Sequence, residues 1–378
     1  MGISGKIRLG VLTSSRADFG IYLPLLKLIK QRSTEFELEI IAFGTHLSRF
    51  HGYTKTEIIQ NGIEINYEIS SLLITDDANS IASGYALTAL KFADFWNQHL
   101  NRFDWVLCLG DRFEMAAAVA AGIPFGIRFA HIHGGETTLG SIDNIYRHSI
   151  TLASQVHFVS VKVFQKRIHE LAGNDAKCYL TGSLSLDNLE EITLLSKEEF
   201  CNKWGITLDR PFILITVHPE TIVFEKNEYF SREVVKALKE ILLGHNLVIT
   251  MPNADTAGTI FRKAFQDLRD ENLAGVFLIE SFGTQSYFSC MKYADYMIGN
   301  TSSGIVEAAS FQKYVINIGD RQKGRLAGKN VIHVPFDHNE IVANAKKLDK
   351  KKYVGENIYK INKAAPIILD ALKTTSNK

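Results

Sequence analysis

Short apolar runs punctuate this chain, each closing on glycine or a polar cluster and each followed by a stretch with helical spacing. In the first half they lie at 7–12, 38–43, 105–109, 125–132, 156–161 and 179–180. In the second half they lie at 212–217, 247–251, 276–279, 296–298, 315–318 and 331–334. Continuous apolar runs of this length suit strands buried on both faces, as in a parallel sheet covered by helices. Between the runs, Ile21, Leu25, Leu28 and Ile29 share one helical face, with Pro24 read as lying in an early turn where its missing N–H is tolerated. Val234, Leu238, Ile241 and Leu242 repeat the spacing, as do Ile361, Ala365, Ile368 and Leu372. Strand–helix alternation predicts an α/β fold, and the parallel organisation of the halves predicts two Rossmann-like, doubly wound domains facing across a cleft. A length of 378 residues fits two domains of roughly 150 residues or more. The expected boundaries are 1–186 and 187–378, with the join in the polar stretch 185–209 and a return of the last helix to the first domain left open.

Composition removes several classes of partner. Hydrophobic residues at 46% and charged residues at 22% are ordinary for a globular protein and exclude general disorder. Lys+Arg minus Asp+Glu is 42 − 41 = +1, so there is no global field for nucleic acid or an anionic membrane. Cys108, Cys178, Cys201 and Cys290 are far apart with no CxxC pair, which removes zinc-finger and disulfide-framework readings. The N-terminus lacks a signal-peptide pattern, and no run approaches the roughly 20 apolar residues of a membrane span. The expectation is a cytoplasmic protein with no nucleic-acid or membrane partner. The basic run 346–352 (KKLDKKK) reads as a solvated helix end and loop.

In open α/β sheets, ligands bind beyond the C-terminal ends of the strands. Here those ends carry polar clusters: 13–20, 44–46, 110–114 and 131–136 in the first half, and 218–221, 252–255, 280–283, 299–304 and 319–322 in the second. Helix capping explains one such cluster but not the whole set. The clearest is Asn300-Thr301-Ser302-Ser303-Gly304 before a helical stretch. Exposed backbone N–H groups and the helix dipole there suit a phosphate, and Glu307 one turn on could take two ribose hydroxyls. A Ser N-cap is the simpler reading, but it accounts for one Ser only. Neither a Walker loop nor a GxGxxG occurs. Asp111, Glu136 and Asp143 with His131 and His133 form the reactive-looking set. Three readings stand: a metal site, with His131 and His133 on one face of a strand; metal-free acid/base chemistry; or structure, with Asp143 capping a helix at 144–153 and Asp111 paired to Arg112. His218 suits ligand contact or strand-end packing equally.

The motifs SRADFG (15–20), GDRFE (110–114), HIHGGETTLGSID (131–143), RHSIT (147–151), HPET (218–221), PNAD (252–255), GNTSSGIVEA (299–308) and NIGDRQKGR (317–325) occur in this order. In this respect the chain resembles the hydrolysing UDP-N-acetylglucosamine 2-epimerases of bacterial sialic acid synthesis. It departs from their pattern at Thr301, where Ser is common, and in GRLAGKN (324–330), which lacks a second Arg. The resemblance implies the two-domain fold of the B-type glycosyltransferases (GT-B), with sugar and catalytic carboxylates on the first domain and UDP on the second. It implies conversion of UDP-GlcNAc to ManNAc and UDP, by anti elimination to a 2-acetamidoglucal and rehydration, without metal or cofactor. Asp111, Glu136 and Asp143, with His133 and Arg112, are the implied catalytic set. Arg16, His218, Asn253, Ser281, Phe282, Ser302, Ser303, Gly304, Glu307 and Arg321 are expected on UDP, the ring of Phe282 on the uracil face, and His46 and Arg147 on the sugar. Relatives suggest a homodimer or homotetramer. The alternatives are the same chemistry on UDP-2,4-diacetamido-2,4,6-trideoxyglucose, the legionaminic acid route, or a GT-B glycosyltransferase.

Overall fold

The computed structural model describes residues 5–73, 75, 77–207, 210–252 and 258–376, except the side chain of His51. The chain divides into two compact units. The first holds Met1–Glu136, Asp143–Glu191 and Tyr359–Lys378; the second holds Thr137–Ile142 and Ile192–Ile358.

The strands of the first unit are β1 (Ile7–Thr13), β2 (Phe36–Phe43), β3 (Tyr67–Ile69), β4 (Trp105–Leu109), β5 (Phe129–Ile132), β6 (Val156–Val159) and β7 (Lys177–Leu180). They form a parallel sheet in the order β3-β2-β1-β4-β5-β6-β7. The second unit has β8 (Phe212–Thr216), β9 (Asn246–Thr250), β10 (Val276–Ile279), β11 (Met297–Gly299), β12 (Val315–Ile318) and β13 (Val331–Val334). Their order is β10-β9-β8-β11-β12-β13, again parallel. In both sheets the order reverses beside the first strand, between β1 and β4 and between β8 and β11. Helices cover both faces, so central strands such as β4 and β8 are buried along their whole length. That double burial is why they read as unbroken apolar runs.

Every apolar run of the sequence contains or overlaps a strand. Periodicity passed over β3, a three-residue edge strand (Tyr-Glu-Ile) with no buried residue and hence no apolar run to betray it. The apolar stretch 125–132 contributes only its second half, because Ile123–Phe125 coils into a 3₁₀ turn closed by Gly126.

Pro24 corrects an expectation. It sits in the middle of helix Arg16–Gln31, not in an early turn. An interior proline removes the bond to the carbonyl four residues back. That carbonyl belongs to Gly20, and it accepts instead from the Asn188 side-chain amide at 2.8 Å. The last helix, Ala364–Ser376, belongs to the first unit. Its first-turn N–H groups at Ala364 and Ala365 donate to both oxygens of Asp187, at 3.0 and 2.8 Å. Its apolar face, with Ile368, Leu369 and Leu372, is buried in the first unit's core beside Leu9, Leu25 and Trp105.

Candidate functional site

The first unit gathers its titratable residues where β4 and β5 end. Asp111 follows Gly110 in the turn after β4, and His133 follows β5 in a left-handed conformation (φ 65°). Non-glycine residues seldom adopt that geometry, and where they do a site is often built around them. Gly135 is also left-handed, and a Cβ there would lie 2.6 Å from the Phe164 carbonyl oxygen. The turn therefore needs glycine, and it swings Glu136 back beneath His133. The Glu136 Oε1 receives the His133 Nδ1–H at 2.7 Å and the Ser160 hydroxyl at 3.1 Å.

Arg147, from helix Asp143–Ala153, ties the set together. Its guanidinium donates to an Asp111 carboxylate oxygen and, at 3.0 Å, to the His133 carbonyl, and lies 3.6 Å from Glu136 Oε2. Arg147 and Glu136 are each only 2% exposed, whereas Asp111 keeps a side-chain exposure of 26%. The His133 Nε2 is buried and makes no hydrogen bond among the described residues. Asp143 opens the same helix and is half-buried.

The neighbouring groups are more fully engaged. Arg112 pairs with Glu114 through two nitrogens, at 3.2 and 3.0 Å, so Asp111 and Arg112 have different partners. His131 is fully buried, with Nε2–H donated to the Gly110 carbonyl at 2.9 Å and Nδ1 3.2 Å from the Thr151 hydroxyl. Burial pushes its pKa down to about 3. His46 is likewise neutral. It is held between the hydroxyls of Thr13 and Thr54, both at 2.9 Å, and desolvation lowers it to about 4. Arg16 starts its helix after the N-cap Ser15, whose hydroxyl accepts from the Asp18 N–H. The Asp18 carboxylate in return takes the N–H and hydroxyl of both Ser14 and Ser15.

The second unit builds on the point where its strand order reverses. Asn300 joins the ends of β8 and β11: the His218 N–H donates to its Oδ1 at 2.7 Å, and its Nδ2–H donates to the His218 carbonyl at 2.8 Å. Gln322 and Arg321 both donate to the Asn300 carbonyl, at 2.9 and 3.3 Å. Gly299 has φ 153°, and a Cβ on it would fall 1.9 Å from the Thr216 carbonyl oxygen. The run after it opens helix Ser302–Val306, whose N-cap Thr301 makes no side-chain cap. Five residues give a smaller dipole than the sequence pattern implied, and what this end offers is its first-turn N–H groups. The Ser303 hydroxyl lies 2.6 Å from the buried Tyr287 hydroxyl, whose pKa desolvation raises to about 12. Glu307 closes this helix, its N–H bonded to the Ser303 carbonyl.

The matching family model, described as UDP-N-acetylglucosamine 2-epimerase, covers residues 29–373. The chain belongs to that family. It is 34% identical over 348 residues, 92% of this chain and 89% of the relative, to the GDP/UDP-N,N'-diacetylbacillosamine 2-epimerase (hydrolyzing) of Campylobacter jejuni. It is 32% identical over 343 residues, 91% of this chain and 86% of the relative, to the polysialic acid biosynthesis protein P7 of Escherichia coli. The Neisseria meningitidis UDP-GlcNAc 2-epimerase, solved bound to UDP-GlcNAc, superposes with a TM-score of 0.81 at 18% identity, covering 97% of this chain and 100% of that one. The fold is therefore that of the family, GT-B-like with two parallel-sheet α/β domains.

For several residues the sequence did not give the part that the fold assigns. Glu114 is the fully buried partner of Arg112; it was visible only as the last letter of GDRFE. Asn300 and Gln322 lie inside quoted motifs, but nothing local says that they converge. Phe282 is buried against Phe200 and Trp204, with centroids 5.5 and 4.7 Å away. Its ring is thus committed to the core, and what this strand end presents is the backbone and Ser281, whose hydroxyl accepts from the Gly283 N–H at 3.4 Å. Asn253 lies outside the described residues. No helix among the described residues is long and apolar enough to cross a membrane.

Proposed function

We propose that this family member is a hydrolysing 2-epimerase of a UDP-2-acetamido sugar, with UDP-GlcNAc giving ManNAc and UDP as the first reading. A second reading, the same reaction on UDP-2,4-diacetamido-2,4,6-trideoxyglucose, is favoured by relatives from Campylobacter jejuni and Legionella pneumophila that are named for diacetylbacillosamine and are 34% and 30% identical to this chain. The observation that carries the reading is the connected set Asp111–Arg147–Glu136–His133 at the ends of β4 and β5.

The C2 proton of such a sugar has no adjacent carbonyl to acidify it, so inversion needs another route. A base takes the C2 proton while the C1–O bond breaks and UDP leaves with the bonding electrons, giving the glycal. Water then adds its oxygen at C1, and an acid returns a proton to C2 from the opposite face. Positioned proton-transfer groups contribute roughly 10²–10⁴-fold. Asp111 and the Glu136–His133 pair are assigned to these transfers, with His133 Nε2 as the atom that exchanges a proton. Asp143 is assigned to the carboxylate set around the oxocarbenium-like carbon, and Arg112, paired with Glu114, to the positioning of that catalytic group. Arg147 and His46 hold the sugar side in shape: both are buried, and both are spent on internal hydrogen bonds. On the second unit, Ser302, Ser303 and Gly304 cradle the diphosphate with their N–H groups, Arg321 and His218 offset its charge, Glu307 takes the ribose, and Ser281 with the Phe282 backbone meets the base.

The test is to offer each UDP-sugar separately in heavy water and identify the products by NMR. The expected outcome is UDP plus the free 2-epimer of one sugar, with a single deuteron at C2. Product carrying protium at C2, or free sugar of unchanged configuration, would sink the proposal; the donor consumed decides between the two readings.

A further inference from the structure

At the N-terminal ends of the second sheet's strands, opposite the ends that carry His218 and Asn300, a histidine and two carboxylates come together. His245 lies immediately before β9, Asp295 two residues before β11, and Asp349 at the C-cap of helix His338–Leu348. Asp349 is also the one acidic residue in the basic run 346–352. The His245 side chain is 11% exposed, yet its Nε2 has no hydrogen-bond partner among the described residues. That atom stands 3.4 Å from Asp295 Oδ2 and 3.5 Å from Asp349 Oδ1, and the three ligating atoms all lie within 4.8 Å of one another.

Those separations carry chemical information. A charge-assisted N–H···O bond closes to about 2.7–2.9 Å, so this is not the geometry of a formed hydrogen bond. Zinc binds imidazole nitrogen and carboxylate oxygen at about 2.0–2.2 Å, and the ligands of a tetrahedron of that size stand roughly 3.3–3.6 Å apart. Both measured distances from Nε2 fall on that edge length. A neutral imidazole with two carboxylates is also a donor set for a borderline divalent ion; magnesium and calcium prefer all-oxygen shells. Positive charge opposes the ion: the lysines of the 346–352 run flank Asp349, and Lys313, buried nearby, faces Asp295 and has its ammonium disfavoured by burial and by Lys352.

We propose that His245, Asp295 and Asp349 form a structural zinc site that pins the loops before β9 and β11 to the end of helix His338–Leu348. It supplies three protein ligands, with water as the fourth, and lies at the strand ends away from the proposed nucleotide-binding loops. Zinc would replace hydrogen bonding as the partner of a buried imidazole nitrogen.

The test uses the purified full chain, stripped with chelator and titrated with zinc alone against a chromogenic competitor, alongside Asp349→Asn and His245→Gln. Asp349 is 46% exposed in its side chain, so Asp349→Asn should fold even if His245→Gln does not. The expected result is one more zinc equivalent bound by the wild type than by Asp349→Asn, or a tenfold or greater weakening, on the order seen when even an outer-shell partner is lost. Zinc should also raise the wild-type Tm but not that of the variant, and Asp349→Asn should turn over UDP-sugar normally. Equal zinc stoichiometry and affinity in wild type and Asp349→Asn, or an equal Tm rise with magnesium, would overturn the site.

Discussion

A guanidinium with almost no solvent around it must be neutralised by what it touches. Arg147 touches Asp111, Glu136 and the His133 carbonyl, so removing its charge leaves carboxylates facing one another in a poorly solvated pocket. Arg147→Met is expected to cost roughly 3–5 kcal/mol of stability, the loss typical of a broken buried pair, together with turnover; urea unfolding and product assay would show both. Asp111→Asn and Glu136→Gln are gentler, since the amide keeps the shape and part of the hydrogen bonding. They are expected to lose turnover while binding UDP as the wild type does, because the residues assigned to the diphosphate belong mainly to the other unit. Calorimetric titration with UDP beside a turnover assay checks this, and wild-type turnover in both variants would remove them from the chemistry. At this scale the sequence singled out the carboxylates and histidines, because they cluster at strand ends. It did not reveal their pairings. Asp111 stands beside Arg112 in the chain yet pairs with Arg147, and Arg112 pairs with Glu114; which guanidinium meets which carboxylate depends on how a helix lies across the turn after β4.

Elements show the same division. The apolar runs located the strands, but Pro24 in mid-helix is intelligible only once Asn188 is seen donating to the Gly20 carbonyl that the proline leaves open. β3 escaped because an exposed three-residue edge strand carries no buried apolar pattern. At the end of β11 the constraint is steric. Gly299 combines a φ of 153° with a Cβ position 1.9 Å from the Thr216 carbonyl oxygen. Gly299→Ala must therefore push β11 away from β8 or change its backbone, at an expected cost of at least roughly 1–3 kcal/mol. The same shift displaces Asn300 and the N–H groups after it, so UDP affinity should fall along with Tm. Unchanged UDP affinity in a folded Gly299→Ala protein would separate that run from the nucleotide.

Across the whole molecule, the first unit carries an acid liability. Burial lowers His46 and His157 to about 4 and His131 to about 3. Unfolded histidines titrate near 6.5. Between that value and the folded pKa, the unfolded chain binds protons that the native state refuses, so stability is present above pH 6.5 and is lost as pH falls. The slope is on the order of 1 kcal/mol per pH unit for each ring. Thermal melts from pH 7 to pH 5 should show a falling Tm, and His131→Asn should flatten that fall by about one proton's share; a Tm independent of pH over this range would contradict the buried neutral rings.

What the sequence determined by itself was local: where strands and helices run, since a doubly covered strand must be apolar throughout, and which strand ends carry polar clusters, since an apolar run breaks off there. What only the tertiary structure decided was long-range. Residues Thr137–Ile142 belong to the second unit, where the Leu139 N–H donates to the Lys323 carbonyl and a Cβ on Gly140 would strike the Asp320 carbonyl. The last helix belongs to the first unit, capped by Asp187. Neither fact has a local signature. Burial and hydrogen-bond satisfaction choose among partners far apart in the chain, and those partners come within reach only when the sheets have formed.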